Sequence, residues 1–117
     1  MTKLIGISGA LRKGSTNTGL LRALKSLLPA HATMEIATLH GIPLFDEDVI
    51  AATGKPEVVT ALADRIRHAD GIIIATPEYQ FSVPGVLKNA NDWLSTCNAP
   101  FKWKRTAVVG ASAGAMA

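Results

Sequence analysis

The stretch "GALRKGSTN", Gly9 to Asn17, combines small residues, two cations and three side chains that can donate hydrogen bonds. That set suits an anion. The spacing of Gly9 and Gly14 resembles a nucleoside-triphosphate loop, but such a loop needs Lys directly after its second glycine, then Ser or Thr. Here Ser15 fills that place and Lys13 precedes Gly14. Gly6, Gly9 and Gly14 also fail to give the dinucleotide pattern G-x-G-x-x-G. What remains is capture of a phosphate monoester with no chemistry at the phosphorus. Ser15, Thr16 and Asn17 supply polar donors, Arg12 a charged one, and a helix beginning nearby supplies free backbone N–H groups. An ordinary strand-to-helix turn capped by Ser15 or Thr16 would use some of the same residues.

Two further stretches carry candidate chemistry. In "PEYQFSVPG", Glu78, Tyr79 and Gln80 follow Pro77 between two prolines. Backbone groups of such a loop can meet the edge of a flat heterocycle, and Tyr79 can offer its aromatic body. In "ASAGAMA", Ala111 to Ala117, small residues permit close backbone approach and Ser112 adds a donor. The acidic run Asp46-Glu47-Asp48 lacks the spacing of an oxygen-ligand loop and reads as solvated. "FKWKR", Phe101 to Arg105, is short and reads as a surface connection ahead of a strand, not a nucleic-acid patch. Phe81, Trp93 and Trp103 read as core or subunit-contact residues, and Cys97 as a buried, idle thiol.

The elements that position these loops follow from hydrophobic periodicity. Lys3 to Ser8 reads as a strand. Leu20, Leu21, Leu24, Leu27 and Leu28 fall at helical spacing before Pro29. Met34 to Leu39 is a second strand, and Pro56 to His68 a second helix with Val58, Val59, Leu62, Ala63 and Ile66 inward. Gly71 to Thr76, "GIIIAT", is apolar without alternation, as in a strand buried on both faces. Pro84 and Gly85 open a third helix, and Thr106 to Gly110 reads as a fourth buried strand.

This βαβαβαβ order implies a doubly wound parallel sheet with right-handed crossovers. Ligands in such sheets sit beyond the carboxyl ends of the strands, near the topological switch point. The rule marks Gly9 to Thr16, Pro77 to Val83, and Ala111 onward, the same three stretches chosen by residue type.

With 117 residues, 48% of them hydrophobic and 18% charged, the chain suits one small globular domain. Its net charge of +3 is a mild excess with no long basic run, which fits a phosphorylated small molecule better than nucleic acid. A single cysteine excludes an internal disulfide and a Cys-based zinc site. No signal peptide or membrane span is visible, and the expected location is cytoplasmic.

"GALRKGSTN", "PLFDED", "PEYQFSVPGVLKNANDWLS" and "GASAG" occur in order through essentially the whole chain. Together they resemble the NADPH-dependent FMN reductase family, whose members are flavodoxin-like and include quinone and chromate reductases. The resemblance implies a flavodoxin-like sheet in the order 2-1-3-4, forming one FMN-binding domain over residues 1–117. It implies that the segment Ala10 to Asn17, with Leu11 and Thr16 in it, wraps the FMN phosphate, with Arg12, Ser15 and Asn17 as side-chain partners. Pro77, Glu78, Tyr79 and Gln80 would border the isoalloxazine ring, and Ser112 and Gly114 would complete the pocket. The family commonly has Ser where this chain has Ala10, and Asn where it has Gln80. Its members continue past this point with a glycine-rich segment, a helix, a fifth strand and a last helix. On that comparison the domain is C-terminally incomplete, and "TAVVG" becomes an apolar edge.

The implied activity is hydride transfer from NADPH to bound FMN, then reduction of a flavin, quinone or similar small acceptor, in a homodimer or homotetramer. The cofactor carries that chemistry, and no residue is singled out as catalytic. Two other classes stay open on the residues alone. One is an FMN-binding electron carrier without direct NADPH turnover, although such carriers are typically acidic. The other is a non-redox phosphate-binding domain; a receiver-type version would need acids where Ser8 and Thr76 stand.

Overall fold

The computed structural model describes residues 1–112. Four strands, β1 (Thr2–Ser8), β2 (Ala32–Ala37), β3 (Gly71–Ala75) and β4 (Arg105–Val109), form one sheet in the order β2-β1-β3-β4. All three pairings are parallel. Four helices, α1 (Thr16–Ser26), α2 (Glu47–Thr53), α3 (Glu57–His68) and α4 (Gly85–Leu94), join them. The order of strands is the one the family resemblance implies.

Alternation along β1 divides its side chains between two layers. Ile5 and Ile7 face a core shared with Val59, Leu62 and Ile66 of α3 and Leu87, Ala90 and Trp93 of α4. Trp93 is fully buried, packs edge-on against Phe45, and donates its indole N–H to the Pro43 carbonyl at 2.8 Å. On the other face α1 packs close to β1. A Cβ built on Gly6 would lie 3.0 Å from Leu21 Cδ2 and 3.1 Å from Met34 Sδ, so a larger residue there would push the helix away.

Val58, expected inward on α3, is exposed, and three further local expectations change. The leucine stripe overruns its helix, because α1 ends at Ser26 and Leu27 is exposed. The "PLFDED" stretch contains the start of α2. Asp46 is its N-cap, with Oδ1 accepting from the Asp48 N–H at 2.9 Å, and Glu47 and Asp48 sit in the first turn, where the helix dipole favours negative charge. The third change is at β4, which is a strand but not a buried one. Among the described residues its only partner in the sheet is β3, and four of its five residues are exposed.

The carboxyl ends of the strands that face the candidate loops are level. Ser8 pairs with Ala75, and Ala75 with Val109. The ladder runs one step further, from Gly9 N–H to the Ala75 carbonyl at 2.7 Å and from Thr76 N–H to the Val109 carbonyl at 3.0 Å. A Cβ on Gly9 would stand 2.8 Å from Thr76 Oγ1 and 3.3 Å from its Cα, closer than side chains tolerate. Gly9→Ala is therefore expected to lower stability by roughly 1–3 kcal/mol through overpacking. Urea denaturation checks this, and an unchanged midpoint would show that the two strand ends have room to spare.

Candidate functional site

Beyond those level ends, the three loops enclose a concavity of about 630 Å³. That is within the usual range for a small-molecule site. Ala10, Arg12, Ser15, Thr16 and Asn17 line it from the first loop, Pro77, Glu78 and Tyr79 from the second, and Ser112 from the third. Thr76 and the run Val108 to Ala111 also line it. Ala111 opens the third candidate stretch, whereas Thr76, Val108, Val109 and Gly110 escape sequence reasoning because periodicity assigns them to strands. Leu11 and Lys13 turn to the far side of the first loop, and Gln80 is not part of the wall. Gly114 lies outside the described residues.

The first loop is held from beneath by buried hydroxyls. Ser8, fully buried, shares a hydrogen bond with the Thr18 hydroxyl at 2.7 Å, and its Oγ accepts from the Ala10 N–H at 3.3 Å. Ser15 is the N-cap of α1. Its Oγ accepts from the N–H groups of Asn17 and Thr18 at 3.1 and 3.4 Å. The capping alternative is thus realised, and the Ser15 hydroxyl proton still has no acceptor among the described residues. The first-turn N–H of Thr16 has none either, which is the pattern that makes a helix start attract anions. Arg12 adds the full charge. Its guanidinium lies over Gly14, where a Cβ would stand 3.2 Å from Nη1, and it forms no ion pair among the described residues.

Asn17 has a use that spacing did not reveal. Its Oδ1 accepts from the Ala111 N–H at 3.0 Å and its Nδ2 donates to the Ala111 carbonyl at 3.3 Å. The Thr16 hydroxyl donates to the same carbonyl at 3.2 Å. Both residues therefore bind the third loop onto the start of α1, across 94 or 95 positions of sequence. Gly110 permits this approach, since a Cβ there would lie 3.0 Å from the Thr76 carbonyl oxygen.

The second loop turns in a two-residue hairpin. Tyr79 and Ser82 exchange backbone hydrogen bonds at 3.0 and 3.2 Å, and Gln80 and Phe81 both adopt left-handed backbone, φ 54° and 62°. Two non-glycine residues in that region cost about 1–2 kcal/mol each. The turn leaves Tyr79 and Phe81 exposed, with Tyr79 on the cavity wall. The resulting concavity is polar and cationic at the α1 end, and at the other end Pro77, Tyr79 and Val109 bring apolar surface beside Glu78. A ligand with a phosphate at one end and a planar ring at the other matches that donor set.

A separate groove of about 480 Å³ sits at the opposite end of the sheet, beside Lys3, Glu35, Asp64, Arg65 and His68. Its charges are largely engaged with neighbours. Arg65 pairs with Glu35 at 2.6 Å, Asp64 pairs with Arg67 at 2.5 Å, and His68 Nδ1–H donates to the Asp64 carbonyl. They pair with one another, whereas the three loops converge on one concavity.

Residues 2–117 match the family model described as NADPH-dependent FMN reductase. An NAD(P)H-dependent FMN reductase of Pseudomonas aeruginosa is 48% identical over 113 residues, which are 96% of this chain and 60% of that protein. A quinone reductase of Escherichia coli is 50% identical over 96 residues, 80% of this chain and 50% of the relative. Among solved structures, FerB, a flavoenzyme NAD(P)H:(acceptor) oxidoreductase from Paracoccus denitrificans, superposes with a TM-score of 0.84 at 36% identity. The match covers 98% of this chain and 63% of FerB. The chain thus spans between half and two-thirds of the length of these proteins.

Asn17→Ala leaves the Ala111 N–H without its side-chain acceptor, and its carbonyl with the Thr16 hydroxyl alone, at a site where Asn17 is 3% exposed. The expected loss is about 1–3 kcal/mol. Amide hydrogen exchange should show faster exchange at Ala111, and unaltered protection there would contradict the contact.

Proposed function

We propose that this chain, which belongs to the NADPH-dependent FMN reductase family, binds FMN between its three loops and serves an NAD(P)H-dependent oxidoreductase. When bound, FMN supplies the redox chemistry, accepting hydride from NAD(P)H and returning electrons to a small acceptor. Relatives named as quinone reductases support a quinone-like acceptor. The observation that carries the reading is the polarity of the cavity. A capped helix start and Arg12, which forms no ion pair among the described residues, stand at one end, and Pro77 with Tyr79 at the other.

The protein's own part is positioning. Arg12, the Ser15 hydroxyl and the Thr16 N–H would hold the phosphate oxygens. Hydrogen bonds to a charged group contribute roughly 1.5–3 kcal/mol each. Pro77, Glu78 and Tyr79 would border the ring, with Gln80 holding the hairpin that aims Tyr79. Asn17 acts one step back, by fixing Ala111 and so the wall that Ser112 continues. Ala10 offers no hydroxyl, so the cradle relies more heavily on Arg12.

Exposed Tyr79, Phe81 and Val83, beside the cavity mouth, support a homodimer or homotetramer whose contacts lie near the site. Among the described residues no helix is long and apolar enough to cross a membrane, and we place the protein in the cytoplasm.

A flavin-fluorescence titration separates the two neighbouring cations. Arg12→Ala is expected to weaken FMN binding about tenfold, the equivalent of roughly 1.4 kcal/mol. Lys13→Ala, whose side chain faces away, should change it little; equal effects would count against the assigned phosphate position. Anaerobic addition of NADPH should bleach the bound flavin's visible absorbance. A flavin that binds but stays oxidised would favour the electron-carrier class.

A further inference from the structure

A second concavity, of about 370 Å³, lies on the far side of the first loop, between that loop, α1 and the residues after β2. It shares Ala10 and Arg12 with the first, so the loop forms a common wall. Lys13 and Arg22 face into it alongside Arg12, and neither Asp nor Glu lines it. The three cations form no ion pair among the described residues, where the ion pairs involve Arg65, Arg67 and Lys88 instead. Like charges gathered without a counter-charge repel one another, and that repulsion is relieved by an anion.

The wall is also fixed in place. His40 Nε2 lies 2.9 Å from the Leu11 carbonyl oxygen. A carbonyl only accepts, so Nε2 carries the proton and donates. Nδ1 then meets the Thr38 hydroxyl at 3.0 Å. His40 thus ties the residue between Ala10 and Arg12 to the chain after β2, and the cations project from an anchored loop on one side and from α1 on the other.

We propose that this second concavity receives a phosphate monoester on a ribose, the 2′-phosphate of NADPH, and that Lys13 and Arg22 set the preference for NADPH over NADH. The inference rests on the oxidoreductase reading above. A dianion on a nucleotide already directed to the neighbouring cavity would meet the Arg22 fork, which suits paired oxygens, and the Lys13 point charge. NADH carries a hydroxyl at that position and would leave the cations unneutralised. Lys13, which has no part in the FMN cradle, gains a use here.

The test is calorimetric titration of the chain, in the presence of FMN, with 2′,5′-ADP and with 5′-AMP, which differ only by the 2′-phosphate. Wild type should bind 2′,5′-ADP at least about tenfold more tightly. The double variant Lys13→Ala/Arg22→Ala should lose that difference while its FMN affinity, read by flavin fluorescence, stays within about twofold of wild type. Equal binding of the two nucleotides to wild type overturns the proposal, as does discrimination that survives the double substitution. Inorganic phosphate binding with the same Lys13 and Arg22 dependence, without any preference for 2′,5′-ADP, would also overturn it and leave a general anion site. If the chain discriminates the nucleotides but binds no FMN, the phosphate site stands and the oxidoreductase reading falls. If FMN binds and discrimination is absent, the reverse holds.

Discussion

The parallel register of β1, β3 and β4 is the constraint on which the site depends. Ser8, Ala75 and Val109 stand side by side, so the three loops leave the sheet at one level. Slipping β4 by a residue would turn Val109 to the other face and carry Ala111 away from Asn17. The Asn17 amide then closes the arrangement sideways, joining the start of α1 to the chain beyond β4. A strained two-residue turn on the middle loop sets Tyr79 against the cavity. The chemistry assigned to the site thus rests on backbone hydrogen bonds made before any ligand arrives. Preorganisation of this kind reduces the ordering cost of binding.

Electrostatically, the first loop works on two sides. Arg12 stands on the shared wall, with the capped start of α1 on one side and Lys13 with Arg22 on the other. The mild overall charge of +3 conceals this local concentration. Many other charges of the chain are engaged in ways that leave them no ligand: the acids of "PLFDED" begin α2, Arg65 and Glu35 pair, and Lys88 pairs with Asp92 along α4. Cations that form no ion pair among the described residues, gathered around two adjoining cavities, are what distinguish the carboxyl end of this sheet from its opposite end.

Much of this was legible in the sequence, for identifiable reasons. β3 shows itself by an uninterrupted apolar run, and α3 and α4 by stripes that bury Val59, Leu62, Ile66, Leu87 and Trp93. The position of the site follows from the topological rule once the strands are placed. What stayed hidden is non-local or depends on neighbours. The pairing of Asn17 with Ala111 spans 94 positions, and no pattern around either residue announces it. α2 is only seven residues long, and its acidic cap passes for a solvated loop, although Asp46 before it and Gly54 after it are ordinary start and stop signals. The exposure of β4 depends on which strands flank it, which "TAVVG" does not encode. The second concavity unites residues from three separate segments, and only the fold brings Arg22 and His40 beside Lys13.

The central claim is that the loop from Ala10 to Asn17 holds the phosphate of a flavin nucleotide. Parallel titrations of the chain with FMN and with riboflavin, followed by quenching of flavin fluorescence, test it most directly, since the two ligands share the ring and differ by the phosphate. The account predicts at least about tenfold tighter binding of FMN, from one or more charge-assisted hydrogen bonds at the start of α1. Equal affinity for the two would contradict it, because the cradle would then contribute nothing to the ligand it is assigned.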